Sequence, residues 1–177
     1  GCIGPPLKAL CDEYWRVITT AVPALLYFEH HDKIFIGLIS SLRSEDNAGL
    51  RNAAVEVLTK LGALSVPFLI DTFKDDDRDV RKFVADILGD INDKRAANAL
   101  INGLSDADEN VSLASVESLG KLRDESAIEP LLKALKESDD KLFLYTVIKA
   151  LEKIGNPKIV DVLIEMINKN GVEKAVV

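Results

Sequence analysis

The chain has 177 residues, 47% of them hydrophobic and 29% charged, with a formal net charge of −7. That length supports one substantial core, and the apolar fraction excludes a disordered chain. Acidic side chains outnumber basic ones 29 to 22, which argues against nucleic acid and anionic membrane as partners. The longest apolar run, VITTAVPALLYF from Val17 to Phe28, holds Pro23 and two threonines and falls short of the ~18 residues of a membrane helix.

Residues 1–31 read as an N-terminal cap or degenerate repeat. PPLKALCDEYW has the look of a helix from the units that follow, but its turn is shortened and Pro23 stands where a core leucine is expected. The only cysteines, Cys2 and Cys11, lie in this stretch. With so few thiols, a reduced, cytoplasmic protein is the expectation. The only histidines, His30 and His31, stand in EHHD at the next junction. Adjacent residues on a helix diverge by ~100°, so the pair reads as an exposed linker rather than a metal site.

From residue 32 the chain repeats itself. LRNAAVEVLTKLG from Leu50, VRKFVADILGDIN from Val80, VSLASVESLGKLR from Val111 and FLYTVIKALEKIG from Phe143 share one pattern, stepping by 30, 31 and 32 residues. Leu58, Leu88, Leu119 and Leu151 move in the same register. A second pattern interleaves with it, in the apolar pairs Leu38-Ile39, Leu69-Ile70, Leu100-Ile101, Leu131-Leu132 and Leu163-Ile164. Val80, Val84, Ile87, Leu88 and Ile91 fall on one helical face. Gly62, Pro67 and GNPK (residues 155–158) break the helices between units. Each unit is therefore a first helix, an acidic turn and a second helix. The units run over residues 32–65, 66–95, 96–126 and 127–158, with a partial repeat or C-terminal cap over 159–177. Each helix spans only about ten to fourteen residues and needs stacked neighbours to be stable, so the predicted fold is all-α, a right-handed α-solenoid of stacked two-helix repeats.

The turn DADENVSLASVE (106–117) has the outline of a calcium loop, with oxygen ligands at its first, third and fifth positions and Glu117 at its twelfth. Its sixth place, a glycine in such loops, is Val111, and the same turn recurs in other repeats without the ligands. Asp106, Asp108 and Asn110 are accordingly expected to cap the second helix. No zinc spacing, phosphate loop or nucleophile set can be assembled. The expectation is no cofactor, no metal, no catalytic residue and no enzymatic activity.

AIEPLLKALKESDD followed by ALEKIGNPK, and the turn Asp, Val-Arg and Leu-Gly of DRDVRKFVADILGDINDKR, resemble the HEAT-like repeats of the short, phycobilisome-lyase type. The resemblance covers roughly residues 32–177. It implies that Arg51 and Arg81, in one slot of successive repeats, bond turn carboxylates and help stack the units; for Arg81 those would be Asp75, Asp76, Asp77 or Asp79. The slot then passes to Ser112 and Leu144. It also implies that the second helices line a concave face. Candidate partner-binding residues there are Asn52, Lys82, Leu113, Val116, Leu144, Tyr145 and Ile148, with Glu56 and Glu117 adding polar selectivity. The expected function is a scaffold or adaptor that binds a protein or extended peptide, as part of a longer multidomain chain. The alternative from the same resemblance is an accessory subunit or enzyme of the bilin lyase type, acting on a tetrapyrrole and a protein partner.

Overall fold

The computed structural model describes residues 31–44, 47–157, 159–162 and 164, and no strand occurs among them. Among the described residues, these α-helices follow one another: α1 (His31–Leu42), α2 (Ala48–Leu61), α3 (Val66–Thr72), α4 (Arg78–Ile91), α5 (Ala97–Gly103), α6 (Glu109–Leu122), α7 (Ile128–Glu137) and α8 (Lys141–Ile154). The readings of Cys2, Cys11, Pro23 and His30 lie outside the described residues, and His31 is the first residue of α1. Odd-numbered helices are the first of each pair and even-numbered ones the second.

The second helices are all 14 residues long, and α4 shows why they form. The Asp77 carboxylate accepts from the amide of Asp79, and Asp79 adds negative charge to the first turn, where the helix dipole favours it. Asn92 ends the helix in the left-handed conformation, its N–H returning to the Leu88 carbonyl. Asn47, Asp108 and Asp140 cap α2, α6 and α8 in the same way. Two of the first helices are shorter than the sequence pattern predicts: α3 and α5 have only seven residues each, whereas α1 has 12 and α7 has 10. A tight 3₁₀ turn precedes α3, α5 and α7 and takes up the chain that a longer helix would use.

Leu58, Leu88, Leu119 and Leu151, the register set by the repeat, are completely buried, as are Leu69, Leu100 and Leu131 from the first helices. Helices α4, α6 and α8 pack against one another along their length, whereas first helices chiefly touch second helices. Small residues permit that close approach. A Cβ placed on Gly89 would lie 2.9 Å from Ser118 Cα, and one on Gly120 would lie 2.9 Å from Ala150 Cα. Between α4 and α6 the buried Ser118 hydroxyl donates to the Ala85 carbonyl at 2.8 Å. The Leu-Gly dipeptide of the sequence pattern is thus a packing device: the leucine fills the core and the glycine admits the next helix.

Candidate functional site

Arg81 joins two successive turns. Its Nε and Nη2 donate to the two carboxylate oxygens of Asp106 at 2.8 Å each, and its Nη1 donates to the carbonyls of Asp75 and Asp76 at 2.8 and 3.0 Å. The expectation that Arg81 meets a carboxylate of its own turn is corrected: its own turn offers carbonyls, and the carboxylate belongs to the next repeat. The forked guanidinium fits that geometry. Asp106 hydrogen-bonded to Arg81 is held below the usual carboxylate range, and the same bond raises the Arg81 pKa.

Those contacts also settle what the acidic turn does. Asp106 accepts from Arg81 and from the amide of Asp108, while Asp108 caps α6 through the amide of Asn110 and accepts from Arg78 at 3.3 Å. Asn110 contributes its backbone N–H rather than a capping side chain. Glu117 is exposed on α6. These carboxylates serve the turn and the joint between repeats.

Arg51 occupies the equivalent slot differently. Its Nη1 donates to the Ser44 carbonyl at 3.3 Å and its guanidinium carbon lies 5.2 Å from the centre of the Phe83 ring. One repeat beyond Arg81 the slot is Ser112, whose hydroxyl turns back to the Glu109 carbonyl at 2.9 Å. The acceptor equivalent to Asp106 is by then Ser138. The joint between the third and fourth repeats therefore lacks this arginine clamp.

There a cleft of about 800 Å³ opens between α5 and α7, bounded by the N-terminal turns of α6 and α8. Ile101, Leu104, Leu113, Leu142 and Phe143 form its apolar part. Four carboxylates, Glu109, Glu129, Glu137 and Asp140, stand around it with one ammonium, Lys133, which lies 3.9 Å from Glu137. The aromatic side chains of the earlier repeats are not repeated at this joint. Phe68, which stacks on Phe35 at 4.2 Å between α1 and α3, corresponds to Ala99 and Pro130, and Phe73 corresponds to Leu104.

The candidate ladder on the second helices separates into parts. Val116 is completely buried and presents nothing to a ligand. Leu144 and Ile148 are half-buried against the core. Lys82 donates to Asp86 at 2.8 Å and lies over the Phe83 ring, and Asn52 is exposed on α2, far along the chain from the cleft. Leu113 lines the cleft, and Tyr145, 60% exposed, follows one turn after the 61% exposed Leu142 on the same side of α8. Leu113 thus shares the cleft with Leu142 and Phe143, and Tyr145 stands outside it, one turn beyond Leu142. The cleft itself lies in the gap between two first helices. Comparing side-chain volume slot by slot along the repeats is the sequence signal that marks this gap.

Comparison with known proteins agrees with this architecture. No curated protein sequence matches the chain. Its fold is similar to that of the CpcE–CpcF complex of phycocyanin lyase from Nostoc sp. PCC7120, at 24% identity and a TM-score of 0.55 over 93% of this chain and 70% of that one. It is also similar to an engineered protein from the Northeast Structural Genomics Consortium, at 20% identity and a TM-score of 0.49 over 84% of this chain and 71% of that one. The family model for HEAT repeats matches residues 35–104 and 97–176. With its repeats, caps and buried leucine register inside that match, the chain belongs to the HEAT-repeat family.

Proposed function

We propose that this HEAT-repeat chain is a non-catalytic scaffold whose partner, a protein or extended peptide, docks on the apolar surface of α6 and α8. The observation that carries this reading is the exposure of Leu142 and Tyr145, 61% and 60%, beside the apolar cleft that Leu142 itself enters. Exposed apolar side chains that adjoin a concavity mark interaction surface rather than chance exposure, and tyrosine is frequent among residues that dominate binding energy.

The alternative reading, an accessory subunit of the bilin lyase type, finds less support. Tetrapyrroles of that class carry carboxylate side chains, and the rim of the cleft bears four carboxylates against one ammonium. Absorbance after mixing with a free bilin separates the two readings.

The test is capture from lysate of the source organism by wild type and by Leu142→Glu/Tyr145→Glu. Both substitutions fall on exposed positions, so circular dichroism is expected to be unchanged. A protein held by wild type and lost by the folded variant is the expected result. Capture that ignores the substitutions places the docking surface elsewhere and overturns this reading.

A further inference from the structure

The clamp at Arg81 shows what the joint between two turns of this solenoid binds well. A guanidinium there reaches two backbone carbonyls of one turn and a carboxylate of the next. At the following joint the chain supplies no arginine, and space is left in its place. The serines at the vacated donor and acceptor positions, Ser112 and Ser138, both line the cleft. Around them four carboxylates, Glu109, Glu129, Glu137 and Asp140, outnumber one ammonium, Lys133, which lies 3.9 Å from Glu137, while Asp140 also accepts from the Phe143 amide. Just beyond lies the apolar surface of Leu113, Leu142 and Phe143.

Taking the scaffold reading as its basis, we infer that this cleft receives an arginine-bearing segment of the partner protein. One guanidinium enters between the two turns beside Ser112 and Ser138, and an apolar residue next to it in the partner's sequence lies on Leu113, Leu142 and Phe143. Arginine suits the site better than lysine. Its planar fork can donate to hydroxyl, carbonyl and carboxylate oxygens of two turns at once, and it is more readily taken out of water than an ammonium. The negative rim attracts such a segment and repels an acidic one, so selectivity and association rate both follow the sign of the partner's charge. The apolar floor supplies the contact area that a surface ion pair alone lacks.

The experiment measures fluorescence anisotropy with a labelled Gly-Ser peptide carrying two Arg-Leu pairs, and with the same peptide in which glutamate replaces each arginine. Saturable binding of the first and none of the second is expected, weakening as salt is raised. Glu109→Lys/Glu137→Lys is expected to weaken binding roughly tenfold or more. Asp71→Lys/Asp90→Lys changes the net charge equally on α3 and α4, away from the cleft, and is expected to leave binding close to wild type. Equal loss with both pairs reveals attraction to overall charge alone and overturns the inference. Ser112→Arg/Ser138→Asp rebuilds the clamp within the chain. It is expected to remain folded and to lose the peptide, and retained affinity overturns the inference as well. A protein that ignores the Arg-Leu peptide but still loses its lysate partner on Leu142→Glu/Tyr145→Glu refutes the arginine inference and leaves the scaffold reading intact.

Discussion

Arg81 and Asp106 have side chains only 16% and 12% exposed, so their paired hydrogen bonds are partly shielded from water and salt. Hydrogen bonds to charged groups contribute about 1.5–3 kcal/mol, and Arg81→Ala is expected to lower stability by an amount in that range. The pH dependence has a definite sign. Asp106 has a lowered pKa in the folded chain, while in the unfolded chain it titrates near the ordinary aspartate value of about 3.9. Its contribution is therefore complete above pH about 4 and is lost as the pH falls through the lowered folded value. Denaturant melts of wild type and Arg81→Ala are expected to differ most near neutral pH and to converge in acid. A gap that stays constant down to pH about 2 excludes this ion pair as its source.

At the scale of the element, Gly89 and Gly120 sit in the last turn of their helices, where glycine is still the poorer helix former, by up to about 1 kcal/mol relative to alanine. Packing reverses that preference. A Cβ on Gly89 would lie 2.6 Å from Ser118 Cβ and 2.9 Å from Ser118 Cα, so relief requires a whole helix to move. Overpacking of this kind costs about 1–3 kcal/mol. Gly89→Ala is expected to lose about 1 kcal/mol net, despite its better helix propensity, as read from the shift in denaturant midpoint. The helices and their core register were legible in the sequence because leucines at fixed spacing report burial directly. The shortness of α3 and α5 was not, since an apolar pair looks alike in a helix of seven residues or twelve. The cleft was hidden for another reason. Hydrophobic periodicity records which side chains face inward and says nothing of whether they are large enough to meet. Val116 was misplaced as a binding candidate because, in a stacked array, the row beside the core stripe is itself covered by the next repeat. The two-turn span of Arg81 was equally invisible, because turn carboxylates stand in both neighbouring repeats and spacing alone does not choose between them.

Across the whole molecule the second helices do not hold one another equally. Helices α4, α6 and α8 pack closely at Gly89 and Gly120, while α2, with Thr59 in the corresponding slot, touches α4 over a smaller region. In a stacked array, stability is the sum of each unit and its contacts with immediate neighbours. Amide hydrogen exchange is therefore expected to be slowest in α6, which has close second-helix neighbours on both sides, and faster in α2. Protection of α2 equal to that of α6 contradicts the ranking. The joint between α6 and α8 has a further property. Gly120 brings the two second helices to their limit of approach, whereas the first helices α5 and α7 stand apart across the cleft. The joint is thus closed on its second-helix side and open on its first-helix side. A side chain seated in the open side is expected to change the angle between the third and fourth repeats, and the distance between labels on α5 and α7, with and without the Arg-Leu peptide, measures that change.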